Sequence, residues 1–177
     1  MQESHCLGTN INGSGPRTVY LYDLFPIKSD IIQNDILNGI PLRDDTADFT
    51  LLDPPYLNVP AKYYGDHPSA LSRLSEMEWF EAMEFIARDV WRITKPGGRV
   101  AILTNDYLKD KRFIPVGYRM LSLFEEVGFE AVALILDVHN NYVYNSNAFI
   151  VANAKRFRYR LNALRQIIVF GKNPTGD

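Results

Sequence analysis

Cysteine is almost absent. Cys6 is the only one in 177 residues, which excludes an internal disulfide and a zinc site built on several thiolates, and fits a reducing compartment such as the cytoplasm. No run reaches the ~20 apolar residues of a membrane-spanning helix, and the longest apolar stretch, Ala131 to Leu136, reads as a strand. The opening residues Met1-Gln2-Glu3-Ser4-His5 lack the basic-then-apolar order of a signal peptide. An excess of charge of one sign is also lacking: 19 Lys and Arg stand against 21 Asp and Glu, a net charge of -2, so any nucleic-acid contact has to come from a local basic patch. His67 has no second ligand in view, and no metal site is expected. There is no internal repeat and no low-complexity tract.

What remains is the composition of an ordinary globule, 46% hydrophobic and 23% charged, with the length of one domain and enough residues for a core. Residues 1–17 scatter Gly8, Gly13, Gly15 and Pro16 among polar residues and read as a flexible segment, leaving 18–173 as the folded domain. Three short apolar stretches come next, Val19 to Tyr22, Asp30 to Gln33 and Ala47 to Leu52, each leading to an acid: Asp23, Asp35 and Asp53. Strands closed by carboxylates at their C-terminal ends are the pattern of a parallel α/β sheet, which binds ligands at that edge.

From Ser75 the period changes. Ser75 and Glu78 have the spacing of a capping box, and Trp79, Met83, Ile86, Val90 and Ile93 recur at helical intervals. Trp79, Phe80, Phe85 and Trp91 read as core or near-core on that helix. Lys95-Pro96-Gly97-Gly98 stops it, and Arg99 to Thr104 reads as a buried strand. A second helix is predicted over Val116 to Val127, ended by Gly128. Ala131 to Val138 and Gln166 to Phe170 then form an antiparallel pair closing the sheet, across a connection of about 27 residues.

The most informative feature is Asp53-Pro54-Pro55-Tyr56 at the end of the third strand. Proline donates no ladder bond, so Pro54 and Pro55 end the strand and stiffen the turn. The result is a rigid mouth with a carboxylate, backbone carbonyls released from the ladder and a flat ring. It suits a planar base bearing an amino group: the acid and a carbonyl accept its two hydrogens while the ring stacks on its face.

This order of elements, with that mouth after a strand and Lys95-Pro96-Gly97-Gly98 before another, resembles the S-adenosylmethionine-dependent methyltransferases. More narrowly it is similar to the amino-group DNA methylases that act on adenine N6 or cytosine N4. Tyr22-Asp23-Leu24 and Asp30-Ile31-Ile32-Gln33-Asn34-Asp35 resemble the stretch before the catalytic motif in a bacterial and archaeal subgroup. The likeness covers roughly residues 18–172. It implies an α/β, Rossmann-like class I methyltransferase sheet, mostly parallel with an antiparallel C-terminal strand. It further implies S-adenosylmethionine as cofactor, with DNA as partner in a setting such as restriction-modification. Asp53, Pro54, Pro55 and Tyr56 would be the catalytic residues. Asp23 would accept from the cofactor ribose, Asp35 from its adenine amino group, and Asp53 would border both cofactor and base.

The sequence departs from the family in one respect. The Gly-rich turn that holds the cofactor's methionine end should precede the strand ending at Asp23, but no apolar strand leads into Gly8, Gly13 or Gly15. No helix fits between Gly15 and Val19, given that isolated helices need about 12 residues. The domain is therefore expected to be truncated at its N-terminus, with uncovered apolar surface that invites a second copy or a partner chain to complete the sheet.

Two segments are candidates for nucleic acid. The loop after the mouth carries Lys62 and Tyr64, placed to close over an extruded base or touch phosphate. Lys155-Arg156-Phe157-Arg158-Tyr159-Arg160 packs four cations and two aromatics into six residues, with Arg156, Arg158 and Arg160 on one face if extended. Two alternatives stay open beside DNA methylation: an RNA base methyltransferase, because a similar mouth serves amino groups on RNA, and a catalytically inactive remnant that binds nucleic acid or a partner.

Overall fold

The computed structural model describes residues 18–55, 70–109, 112–138 and 164–173, together with Ala152 and Arg156. The strands are β1 (Tyr22–Asp23), β2 (Ile32–Gln33), β3 (Ala47–Leu52), β4 (Thr94–Thr104), β5 (Tyr107–Lys109), β6 (Arg112–Ile114), β7 (Glu130–Val138) and β8 (Leu164–Gly171). The helices are α1 (Glu76–Ile93) and α2 (Val116–Val127). The chain divides into two units, Met1–Ile40 and Pro41–Asp177.

In the first unit β1 and β2 form a two-stranded parallel pair, Tyr22 opposite Ile32 and Asp23 opposite Gln33. Both are shorter than the apolar stretches that announce them, because a strand extends only as far as its partner pairs with it. Asp35 caps a short 3-10 turn, Ile36–Asn38, which ends at Gly39 with φ 91°.

The second unit is built on a four-stranded sheet of order β3-β4-β8-β7. β3 runs parallel to β4, while β8 is antiparallel to both β4 and β7. It follows that β3, β4 and β7 share one direction and only the C-terminal strand β8 is reversed. This is the mostly parallel α/β sheet with an antiparallel C-terminal strand that the sequence predicts.

The start of α1 follows from its cap. The Ser75 hydroxyl accepts from the Glu78 N–H at 3.3 Å, and the Glu78 carboxylate accepts from the Ser75 N–H at 2.8 Å. Hydrogen bonding from the Ser75 hydroxyl, and then from its backbone N–H, holds the Glu78 carboxyl below its ordinary pKa. The apolar stripe Trp79, Phe80, Met83, Ile86, Ala87, Val90 and Ile93 is buried. Each large side chain in it contributes about 1.5–3 kcal/mol of gross burial. Phe85 departs from the expectation: it is 46% exposed, because it falls between Met83 and Ile86 on the outer side of the stripe.

The C-terminal carbonyls of α1 are all accounted for. Val90 accepts from the Thr94 N–H and hydroxyl, Arg92 from the Asp45 N–H at 3.0 Å, and Ile93 from the Thr46 N–H at 2.8 Å. Trp91 accepts from the Lys172 ammonium at 2.9 Å. That ammonium also donates to the Thr94 carbonyl at 2.7 Å and to Asp45 at 2.9 Å, and Lys172 is only 7% exposed.

β4 begins at Thr94, earlier than Lys95-Pro96-Gly97-Gly98 leads one to expect. Thr94 pairs with Ala47, and the register then shifts before Phe49 meets Arg99. This irregularity absorbs Pro96, which cannot donate, and Gly97, whose φ is 81°. α2 ends on Gly128 in the left-handed region, φ 119°, with the Phe129 N–H closing on the Phe124 carbonyl at 3.1 Å.

The core lies between these helices and one sheet face. Val100 and Ile102 of β4 and Ile168 and Phe170 of β8 share that face by register and are buried. The Phe124 ring of α2 stacks on Phe170 at 4.8 Å. On the opposite face Phe49 and Leu51 of β3 are 59% and 60% exposed, while the edge strand β7 is exposed on both faces, Leu134 at 56% and Ile135 at 50%.

Candidate active site

Because β3, β4 and β7 point the same way, their C-terminal ends lie along one edge of the sheet. That edge gathers Asp53-Pro54-Pro55 after β3, Asn105-Asp106 after β4, and Gln166 near the start of β8, opposite Thr104. In α/β sheets this is the edge at which ligands bind.

Asp53 is exposed to solvent, and its carboxylate accepts no hydrogen bond from the described residues. Pro54 and Pro55 are half-buried. The Pro55 carbonyl accepts a hydrogen bond from the Trp79 indole N–H at 3.2 Å, which ties the end of the mouth to the first turn of α1. Trp79 is 2% exposed and packs edge-on against Phe80, ring centroids 5.1 Å apart. Sequence reasoning assigned Trp79 to the core and missed this bond; an aromatic on an apolar stripe carries no sign that its N–H has a distant acceptor.

Two further features at this edge were not foreseen. Asp106 accepts from the Gly117 N–H at 2.9 Å and from the Gln166 side-chain amide at 2.8 Å, so it satisfies a first-turn donor of α2 and fastens it to β8. A Cβ at position 117 would collide with the Gln166 side chain, which explains a glycine there. The second feature is the β5–β6 hairpin, with Lys109 opposite Arg112. Glu76 accepts from Arg112 at 2.7 Å and from Arg119 of α2 at 2.9 Å, and the Arg119 guanidinium lies 3.4 Å over the Phe80 ring. The Tyr107 hydroxyl is buried without a partner among the described residues, and burial pushes its pKa up. One carboxylate thus gathers two guanidiniums, one from the hairpin and one from α2.

In the first unit, Asp23 Oδ1 accepts from the Phe25 N–H at 2.7 Å and Asp35 Oδ1 from the Leu37 N–H at 3.0 Å. Both carboxylates therefore form local turns, and each does so with one oxygen only.

Tyr56, Lys62, Tyr64, Arg158 and Arg160 lie outside the described residues, as do residues 1–17. Arg156 is exposed and its backbone is helical, so the two-residue alternation of an extended segment does not apply at that position.

No protein-family model matches the sequence, and no curated protein matches it. Solved structures do. The PvuII DNA methyltransferase, cytosine-N4-specific, aligns with a TM-score of 0.57 at 16% identity, covering 80% of this chain and 48% of that one. A candidate DNA modification methylase from Thermus thermophilus, in complex with S-adenosyl-L-methionine, aligns with a TM-score of 0.52 at 18% identity, covering 81% of this chain and 53% of that one. The fold is that of class I methyltransferases. This chain spans about half the length of these structures.

Proposed function

We propose that the chain is an S-adenosylmethionine-dependent methyltransferase acting on an exocyclic amino group of DNA, adenine N6 or cytosine N4. The observation that carries the reading is Asp53: an exposed carboxylate, unengaged by described residues, at the C-terminal end of a strand and followed by two prolines. The fold shared with a DNA methyltransferase and a candidate DNA modification methylase supports it.

S-adenosylmethionine, when bound, supplies an electrophilic methyl group. Asp23 and Asp35 would hold its nucleoside portion, a reading supported by the carboxylate oxygen that each keeps outside its local turn to accept from ribose hydroxyls or an adenine amino group. Asp53 and the Pro54 carbonyl would accept the two hydrogens of the target amino group. That pair of bonds localises the nitrogen lone pair and fixes its direction, which lowers the barrier by orientation and electrostatics. Tyr56 would stack on the base after it leaves the duplex. Incubating the protein with tritiated cofactor and unmethylated DNA should label the DNA; label on RNA alone would move the substrate to RNA, and label on neither would end the reading.

Arg156, Arg158, Arg160, Lys62 and Tyr64 remain the proposed nucleic-acid contacts, and the hairpin adds Arg112, which is exposed. Glu76 engages the exposed Arg112 guanidinium through one pair of atoms, which leaves its other N–H groups to donate to a phosphate. Arginine's planar fork of donors suits a phosphate. Arg112→Gln should weaken duplex binding and lower the slope of log affinity against log salt by about one. Fluorescence anisotropy over a salt series reads that slope, and an unchanged slope removes Arg112 from the interface.

The exposed Phe49 and Leu51 support the proposal that a second copy or a partner chain covers this sheet face. Sheets of parallel strands are normally covered on both sides. Light scattering of the isolated chain should give a mass that rises with concentration; a constant monomer mass would count against it.

A further inference from the structure

We propose that Trp79 is a positioning residue for methyl transfer: by holding the Pro55 carbonyl, its indole N–H presents the Pro54 carbonyl and Asp53 as the acceptor pair for the target amino group. This rests on the methyltransferase reading above and names the residue that sets the geometry of the mouth.

Orientation passes from the cap of α1 outward. The reciprocal Ser75–Glu78 bonds fix where the helix begins, and so fix the direction of Trp79 in its first turn. Trp79 is buried against Phe80, which leaves its ring little freedom. Its one polar atom donates to the Pro55 carbonyl, 24 residues earlier in the chain. A buried indole N–H needs an acceptor, so the bond is stabilising in itself. Its consequence at the mouth is directional. Each proline ring fixes φ near -65°, so the orientation of one carbonyl constrains its neighbour. With the Pro55 oxygen turned onto α1, the Pro54 oxygen is left to accept from a substrate beside the Asp53 carboxylate. The prolines alone make the segment stiff; Trp79 gives the stiff segment one orientation.

The chain has two tryptophans, Trp79 and Trp91, so an indole-labelled protein gives two N–H resonances. The test pairs Trp79→Phe with that spectrum. Phenylalanine keeps an aromatic ring against Phe80 and removes the donor, at the cost of a small cavity where the larger indole ring was. The expected result is a fall in kcat of about tenfold, since small misplacements of reacting groups cost up to about 10²-fold. KM for DNA and cofactor affinity by calorimetry should stay within about twofold of the parent, as for a loss confined to the transition state. In the parent, saturating 2′-deoxyadenosine or 2′-deoxycytidine should shift the Trp79 resonance and leave Trp91 in place.

An unchanged kcat in Trp79→Phe overturns the proposal. So does a fall in kcat matched by an equal loss of cofactor affinity, which would make Trp79 a packing residue only; a lower melting temperature is expected in either case. If the parent transfers methyl to neither DNA nor RNA, the methyltransferase reading fails separately. The resonance then decides for Trp79: a shift with nucleoside keeps its coupling to the mouth, and no shift ends it.

Discussion

Asp53→Ala should lower kcat for methyl transfer by about 10²–10³-fold, the scale seen when one preorganised polar partner of a transition state is removed. The variant loses the charged member of the acceptor pair and keeps the Pro54 carbonyl. An exocyclic amino nitrogen is a poor nucleophile because its lone pair is conjugated with the ring. As the nitrogen becomes tetrahedral its hydrogens grow more acidic, and a carboxylate then binds them more tightly than in the ground state. That difference accelerates the step. Folding should be indifferent, because Asp53 is exposed and gives up no described hydrogen bond. Asp53→Asn should fall between parent and alanine, since the amide retains one neutral acceptor. Single-turnover measurements with labelled cofactor and a saturating DNA duplex read these differences, and an alanine variant as fast as the parent would remove Asp53 from the mechanism.

The second large effect concerns stability and lies at the other end of the sheet. Lys172→Met should destabilise the fold by about 3 kcal/mol, because burying carbonyls without a donor costs about 1–3 kcal/mol each. The methionine follows the path of the lysine stem but donates nothing. The Trp91 and Thr94 carbonyls then lose their partner at the C-terminus of α1, where the helix dipole also favours a cation. Asp45 is more than half exposed and rehydrates, so it adds little to the cost. The melting temperature should drop by roughly 10 °C at 2–4 °C per kcal/mol for a domain of this size. Calorimetric scans of parent and variant measure it; a shift under about 2 °C would mean that water replaces the ammonium at those carbonyls.

The elements that can be read from the chain are those whose signals are local and complete. α1 has a cap, a period and a stop within 24 residues, Ser75 to Gly98, and its stripe is buried as predicted apart from Phe85. β3 and α2 coincide with their predicted bounds because Asp53-Pro54 ends one and Gly128 the other. The β5–β6 hairpin escaped notice: each arm has three residues, and Asp110-Lys111 between them offers no glycine to mark a turn. The early start of β4 was hidden for the opposite reason. Pro96-Gly97-Gly98 is a strong break signal, and only pairing with Ala47 and Lys172 across the fold makes it part of a strand.

The site divides in the same manner. The place of Asp53, Pro54 and Pro55 at the end of β3 is legible because an apolar run stops at two prolines. The Trp79 bond, the Asp106–Gly117–Gln166 junction and the Glu76 pairing of two arginines each join residues far apart in sequence, and none has a spacing to read. Asp23 and Asp35 illustrate the converse: their turn-forming role, as ordinary for aspartate as ligand binding is special, is present in the fold whatever else they do.

The Lys172 lock has a practical corollary. It closes the sheet where Ala47 meets Thr94, whereas Asp53 follows Leu52 at the far end of β3, about 17 Å away at the rise of a strand. The contacts that secure the fold at Lys172 and the candidate site at Asp53 therefore have separate addresses in this protein. A designer can harden the foot of the molecule, or a lineage can let it drift, without disturbing the end where a base would enter.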